Sequence, residues 1–459
     1  MSDYEKDSVF AKLLGFLSPS EKSLYQTELN DAIALLKEEL FPMAEDREAF
    51  AARFSVGGKE PKAMVFGAGT SCGEPIGLPT WKELLKNAIV GHFLADNIFD
   101  ASLIDKNKIK EKEIKDKTEF DICKSKYGGC FEKYDLYELA QYVENMLDEF
   151  STDNRKYGKE ERKERAAAEL YTIVEKSLYY SARKKGDDNT SVEQAMTGDP
   201  QFKNHLLYAI GEYVDKAAVN RVLTYNYDNS FEFVYENIEG KQPNKKLIPI
   251  FIDNQLSYAD ECDSTVVYHV HGYVPYFQEQ YNKEPRIKKA LCSKEALNLI
   301  LSERSYDDMS YSSYKWRNVV QIDTFLRYNC LFFGFSAEDK NFKRIVKLMG
   351  RSSEGAPTAE DVKHYIFMTA DDYVNSMFGV ATDGKNIGQS VLEYLTSENC
   401  SDAAKKNVDK INDFDKLLAV KFLYYILRAR RKYLKNLNIS PVWTVKTEVR
   451  DCFEYMLNK

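Results

Sequence analysis

The sequence lacks closely paired cysteines. Its eight cysteines are spread over 459 residues, and none belongs to a Cys-x-x-Cys pair. Structural zinc sites of the ribbon type use such pairs, so no site of this kind is expected, and no other metal is expected either. Dispersed cysteines are typical of a reducing compartment. We therefore predict a cytoplasmic protein without a structural metal.

The sequence also lacks long apolar runs and any excess of positive charge. No uninterrupted apolar stretch reaches the roughly 20 residues that span a bilayer, and the first ten residues, MSDYEKDSVF, do not have the pattern of a signal peptide. Lys and Arg number 64 against 72 Asp and Glu, which gives a net charge of −8. Such a chain has no general attraction to nucleic acid. We expect a soluble protein that binds neither membranes nor nucleic acid directly.

Short apolar segments alternate with helical patterns in the middle of the chain. Helical patterns lie near 289–302, 311–328 and 338–350. The segments predicted as strands are rich in apolar, β-branched or aromatic residues: Ala63–Phe66, Arg221–Tyr225, Leu247–Ile252, Thr265–Val270, Cys330–Phe333 and His364–Met368. This alternation predicts an α/β fold with a doubly wound, mostly parallel, Rossmann-like sheet.

Three regions show helical patterns without strand signals. Residues 1–60 are predicted to form an N-terminal helical extension, and residues 376–459 a C-terminal helical region with helices at Asp402–Leu434 and Glu448–Leu457. Residues from about 95 to 217 are predicted to form a helical insertion between two strands of one sheet. Its helices are expected at Tyr134–Phe150, Glu160–Leu178 and Gln201–Ala217, and the charged run Lys106–Lys117 is interpreted as solvated surface.

Small or polar residues follow four of the predicted strands directly. In an open α/β sheet, ligands bind at the carboxyl ends of the strands. Glycines there let the backbone approach a ligand closely, and turn amides suit an anionic phosphate. In chain order, the four groups are Gly67-Ala68-Gly69 with Ser71, Asn226-Tyr227-Asp228, His271-Gly272, and Gly334-Phe335-Ser336 with Asp339 and Asn341 beyond.

In their order, GAG-x-S, T-x-N-x-D, HG and GFS-x-x-D-x-N, these groups resemble the motifs of the sirtuin-like family over roughly residues 63–370. The resemblance implies that residues 61–375 form a nucleotide-binding α/β domain whose ligand is NAD. It implies catalytic roles for Asn226, as a hydrogen-bonding group, and for His271, as a general base. It further implies that the other residues of the motifs bind NAD: Gly67, Ala68, Gly69 and Ser71 at the phosphates, Asp228 on the nicotinamide side, and Gly334, Ser336 and Asp339 elsewhere on the dinucleotide.

Two departures from sirtuin deacetylases narrow the expected activity. Those enzymes carry D-F-R where this chain has Thr80-Trp81-Lys82, and a four-cysteine zinc module where this chain has only Cys123 and Cys130. Both departures, and the W-x-x-LL pattern, resemble bacterial sirtuin-like proteins of antiphage defence, which hydrolyse NAD to ADP-ribose and nicotinamide.

The resemblance implies an NAD hydrolase (NADase) that depletes NAD in antiviral defence by abortive infection. A homo-oligomer or a sensor protein is expected to control it, because an unregulated NAD hydrolase would kill its own host. A non-catalytic sensor of NAD or of an ADP-ribose derivative stays open as an alternative, as does an NAD-dependent protein deacylase.

Several side chains have structural alternatives to these roles. Asn226 is also a good turn residue, and Asp339 is equally suited to capping the helix that follows. His269 shares the strand parity of His271 but lies deeper, so we predict a core histidine. Trp81 is predicted to pack against the fold, and the basic run Arg428–Lys432 to complement a helix dipole rather than bind a partner.

Overall fold

The computed structural model divides into two compact units. The sheet unit contains Phe54–Tyr365 and Cys452–Lys459, and the terminal unit contains Met1–Arg53 and Ile366–Asp451. The structure describes residues 19–40, 50, 53–91, 134, 136–150, 159–180, 192–217, 219–240, 246–259, 264–276, 285–310, 314–352, 364–369, 373, 413–444, 453 and 456.

Parallel strands form the core of the sheet unit. The strands are β1 (Lys62–Phe66), β2 (Val219–Thr224), β3 (Lys246–Ile250), β4 (Ser264–His269) and β5 (Asn329–Phe333). Their spatial order is β3-β4-β2-β1-β5, and each of these pairings is parallel. Every residue of β1 and β5 is buried, as is typical of central strands covered on both faces. The sheet confirms the predicted Rossmann-like α/β fold.

The register aligns the carboxyl ends of four strands. Phe66 at the end of β1 pairs with Thr224 of β2 on one side and with Phe333 of β5 on the other. Thr224 in turn pairs with His269 at the end of β4. Residues that directly follow these strands therefore emerge at one edge of the sheet.

Helices precede and follow the strands along the chain. Their bounds are α1 Pro19–Leu40, α2 Trp81–Asn87, α3 Leu136–Phe150, α4 Lys159–Leu178, α5 Val192–Thr197, α6 Leu206–Lys216, α7 Ser230–Glu236, α8 Pro285–Leu291, α9 Glu303–Ser310, α10 Trp316–Arg327, α11 Lys340–Ser352 and α12 Asp413–Lys435. Short 3₁₀ turns occupy Ala68–Thr70, Phe202–Asn204, Asp253–Tyr258 and Lys294–Leu297.

The segment between β1 and β2 contains helices and no strand in the part that the structure describes. Helices α3, α4 and α6 lie where the sequence predicts them, and α5 lies between the last two. The charged run Lys106–Lys117 falls outside the described residues. Helix α2 begins at Trp81, because Thr80 and Glu83 form a reciprocal capping box at its first turn.

In the terminal unit, helix α1 packs against the long helix α12. Leu29 and Leu36 of α1 and Leu423 and Leu427 of α12 belong to one buried apolar cluster. The basic run of α12 is used within this unit: Arg431 pairs with Glu39 of α1. This contact agrees with a structural interpretation of the run.

The terminal unit also contains strand β7 (Ile439–Thr444), in a region predicted to be helical. Strand β6 (His364–Thr369) crosses the boundary between the units, and β7 is its neighbour in the strand order. Pro441 interrupts the apolar pattern of β7, which hides it in the sequence, and proline is tolerated in a strand at the edge of a sheet. Residues 402–412 of the predicted long helix lie outside the described residues, as does most of the helix predicted at Glu448–Leu457.

Candidate active site

A cavity of about 750 Å³ lies at the carboxyl ends of β1, β2, β4 and β5. Its volume falls within the roughly 300–1,000 Å³ typical of small-molecule sites. The structure brings all the predicted site residues to its lining: Gly67, Ala68, Gly69, Ser71, Asn226, Asp228, His271, Gly334, Ser336 and Asp339.

The loops that follow β1 and β5 pack directly on each other. The amide of Gly67 donates to the carbonyl of Phe333, and the amide of Gly69 donates to the carbonyl of Gly334, both at 3.0 Å. A Cβ atom at Gly334 would lie 2.2 Å from the amide nitrogen of Thr70, and Gly334 has a φ of +55°. The close contact between the two loops therefore requires glycine, whether or not a ligand is bound.

Most amides of the loop after β1 are already hydrogen-bonded. The amides of Gly67, Gly69, Thr70 and Ser71 all donate to carbonyl groups of the protein itself. These four N–H groups are thus engaged within the protein, and contact between the loop and phosphates stays a prediction.

Positive charge at the cavity comes instead from three lysines in its lining. These are Lys82 of α2 and Lys340 and Lys343 of α11. Lys343 also pairs with Glu338 in the preceding loop. These lysines can attract an anionic group, although the same lining carries the carboxylates of Asp228, Glu338 and Asp339.

Asn226 and Asp228 join the end of β2 to the loop after β1. The Nδ2 group of Asn226 donates to Thr70 Oγ1 at 3.1 Å, and Asp228 Oδ1 accepts from Ser71 Oγ at 3.0 Å. Asp228 Oδ1 also accepts from the amide of Ser230 at 3.0 Å, which closes the turn before α7. Asn226 Oδ1 is buried and has no hydrogen-bond partner in the described part of the protein. Such an acceptor fits a ribose hydroxyl or a water molecule.

His271 is enclosed by aromatic rings at the exit of β4. Tyr225 and Tyr306 meet its ring edge to face, with centroids 4.9 and 5.5 Å away, and the Trp81 ring lies at 5.7 Å. Burial lowers the pKa of His271 to about 4, although the negative charge of Asp339 opposes this shift. The imidazole is therefore neutral at neutral pH, and burial makes it a weaker base than an exposed histidine.

Asp339 serves both the site and the helix that follows it. Its Oδ2 atom lies 3.4 Å from His271 Nε2 and accepts a hydrogen bond of 2.5 Å from the Tyr306 hydroxyl. Its Oδ1 atom accepts from the amide of Phe342 at 2.7 Å in the first turn of α11. One carboxylate of Asp339 thus caps α11 and also lies beside His271.

The structural expectations for His269 and Trp81 agree with the structure. His269 is fully buried, with Nε2 2.7 Å from Glu232 Oε1 and Nδ1 3.4 Å from the carbonyl oxygen of Asn226. Trp81 packs against Tyr306 and His271, so it is a packing residue that also lines the cavity.

Asn341, the last residue of the GFS-x-x-D-x-N pattern, joins two helices. Its Nδ2 group donates to Asn318 Oδ1 at 3.2 Å and to Gln321 Oε1 at 3.4 Å. Both acceptors belong to α10, so Asn341 connects α11 to α10.

Two tyrosines beside His271 are not among the site residues predicted from the sequence. Tyr225 stands between Thr224 and Asn226, and its position at the strand end was a usable signal. Tyr306 comes from α9, whose sequence, ERSYDDMS, is polar and gives no indication of a site.

Two features are not found among the described residues. No group of three His, Cys, Asp or Glu side chains there is arranged to hold a metal ion. Within the same ranges, no helix combines the length and the apolar composition that crossing a membrane requires.

Comparison with known families identifies one match. Residues 220–387 match the SIR2-like domain, a segment that covers less than half of the chain. It includes Asn226, His271 and Asp339 but begins after the glycine loop. No curated protein matches the sequence. The match supports a sirtuin-like family, and SIR2-like domains use NAD as a substrate.

Proposed function

We propose that this protein is an NAD hydrolase that releases nicotinamide and ADP-ribose. One observation carries the proposal: Asn226, whose amide oxygen is buried without a partner among the described residues, and His271, whose buried imidazole is neutral, line the same cavity. Both residues lie within the segment that matches the SIR2-like domain.

The residues support a direct hydrolysis. The bond between the ribose C1′ atom and the nicotinamide nitrogen breaks, and its electron pair leaves with nicotinamide. A water oxygen forms the new bond to C1′ and loses one proton. Asn226 Oδ1 would orient that water or a ribose hydroxyl, and His271 would accept the proton. The resulting imidazolium is stabilised by Asp339, whose Oδ2 atom lies 3.4 Å away.

Charge around the cavity fits the two parts of such a substrate. The lysines at positions 82, 340 and 343 would attract the phosphates, whose charge is negative. Asp228 brings a carboxylate to the lining, and a carboxylate stabilises the positive charge that develops on the ribose as the bond breaks.

Chromatography of the products tests this function. Purified protein is incubated with NAD, with and without an acetylated peptide, and nicotinamide and ADP-ribose are quantified. We expect equal nicotinamide release in both samples. Release only with the peptide would indicate a deacylase, and tight NAD binding without release would indicate a sensor. Either result contradicts the proposal.

We also propose that this activity serves antiphage defence and is gated by self-assembly or by a partner protein. Two observations support a gate. Tyr134 and Leu178 of the helical insertion line the cavity, where they can control access. In the terminal unit, α12 exposes Leu418, Phe422 and Tyr425 at helical spacing, which suits an interface. Turnover per active site should rise with protein concentration or on adding a partner. Full activity in a monomer at all concentrations would contradict the gate.

A further inference from the structure

A second, much smaller cavity lies behind Asn226, inside the sheet unit. Its volume is about 10 Å³, which is about the space that a single water molecule needs. Polar residues in its lining include Thr70, Asn226, Asp228 and Glu232. Asn226 and Asp228 line the main cavity as well, so the two spaces are separated by residues of the candidate site.

Two residues of this lining each have a buried acceptor without a partner within the described residues. The acceptors are Asn226 Oδ1 and Glu232 Oε2, and their residues are 8% and 2% exposed. Buried polar atoms are nearly always hydrogen-bonded, to protein or to fixed water. Two acceptors cannot satisfy each other, because neither carries a hydrogen. A water molecule between them can donate one hydrogen to each.

The other oxygen of Glu232 reaches Asn226 by a second route. Glu232 Oε1 lies 2.7 Å from His269 Nε2, and His269 Nδ1 lies 3.4 Å from the main-chain carbonyl oxygen of Asn226. Glu232 is therefore placed to act on both the side chain and the backbone of Asn226, without lining the main cavity itself.

We propose that Glu232 is a positioning residue for Asn226 and acts through one ordered water in the small cavity. That water donates to Glu232 Oε2 and to Asn226 Oδ1 and holds the amide group in the orientation that the reaction requires. An amide oxygen has two lone pairs, so the other stays free for a second hydrogen bond. The inference deepens the proposed function and rests on it, because positioning matters only if Asn226 acts on a substrate.

Crystallography of the full chain tests the water without any assay of activity. We expect electron density for one water within hydrogen-bond distance of both Asn226 Oδ1 and Glu232 Oε2. A dry cavity would overturn the proposal, even if the protein cleaves NAD.

Two substitutions of Glu232 test the positioning. Glu232→Met has a similar size but removes both polar contacts, whereas Glu232→Gln keeps a polar group for His269 and for the water. We expect Glu232→Met to lower kcat at least about tenfold with the KM for NAD within about twofold, and Glu232→Gln to restore most of kcat. Wild-type kcat in Glu232→Met would refute the positioning role.

Asp215→Leu is the matched control. Asp215 is another buried carboxylate, which accepts from the Tyr235 hydroxyl at 3.1 Å in a part of the sheet unit that lines neither cavity. Its loss should lower the melting temperature and leave kcat unchanged. An equal fall of kcat in Asp215→Leu and Glu232→Met would reduce the role of Glu232 to stability and overturn the proposal.

The crystal structure of Glu232→Met tests the coupling of Glu232 to Asn226 independently of NAD cleavage. If the wild-type protein does not cleave NAD, the proposed function fails, and the crystal structure of Glu232→Met then decides the inference. In that structure we expect the Asn226 amide to lose its hydrogen bond to Thr70 Oγ1. An unchanged Asn226 would contradict the coupling to Glu232.

Discussion

The two halves of the main cavity are built in opposite ways. At the ends of β1 and β5, two loops interlock through glycines, and amides of the loop after β1 are bonded within the protein. At the ends of β2 and β4, side chains with unsatisfied or proton-accepting atoms line the space. The strand order β4-β2-β1-β5 places these halves side by side. Substitutions that add atoms should disrupt the first half, and substitutions that remove side-chain atoms should disrupt the second half.

The largest effect is expected for His269→Ala. It removes a buried contact beneath the half of the cavity at the ends of β2 and β4, called here the polar half. The substitution leaves the carboxylate of Glu232 buried without its partner. Breaking a buried pair in this way typically costs about 3–5 kcal/mol. Urea denaturation should show a loss of this size in the free energy of unfolding. A loss below about 1 kcal/mol would show that the pair does not stabilise this half.

The next largest effect is expected on the rate of catalysis, for substitutions that remove the proposed catalytic groups of the polar half. Asn226→Ala and His271→Ala should each lower kcat for NAD at least about a hundredfold, or about 2.7 kcal/mol, because each removes a group that acts on the reacting atoms. Nicotinamide release measures the effect. Retention of more than a tenth of wild-type turnover would remove that residue from the mechanism.

Gly334→Ala tests whether the half of the cavity at the ends of β1 and β5, called here the glycine half, tolerates an added atom. Its new methyl group would meet the Thr70 amide at 2.2 Å, in a residue whose φ is +55°. Gly240→Ala is the matched control, because Gly240 has a φ of +72° and nothing within 4 Å of the added carbon. The left-handed conformation alone costs about 1–2 kcal/mol. In thermal unfolding, Gly334→Ala should therefore lose clearly more stability than Gly240→Ala, and equal losses would mean that the loops do not interlock.

The smallest effect is expected from pH. The pKa of His271 is lowered to about 4, so its imidazole stays neutral as the pH falls from 8 to 5.5 and is protonated only near pH 4. Turnover limited by this base should change less than about twofold over that range. A rate that falls with an apparent pKa near 6.5 would mean that His271 is solvated during catalysis, and that the polar half is more open than its burial suggests.

Much of the sheet and the position of the site could be predicted because both follow from local signals. The strand segments are short, apolar and rich in β-branched or aromatic residues, and parallel pairing then brings the residues after them to one edge. Tyr306 and the partner of His269 could not be predicted in this way. Tyr306 reaches His271 from the polar helix α9, and Glu232 reaches His269 from α7, so both contacts are set by tertiary packing. Strand β7 was missed because Pro441 breaks its pattern.

The shared carboxylate of Asp339 has a mechanical consequence. One oxygen is tied to the first turn of α11 and the other to Tyr306, beside His271. A carboxylate is rigid, so a rotation of α11 about its first turn must also move the oxygen that faces the imidazole. A change in the orientation of α11 is therefore expected to change the electric field at His271. We therefore expect a binding event that tilts α11 to change the pKa of His271 without contacting the imidazole.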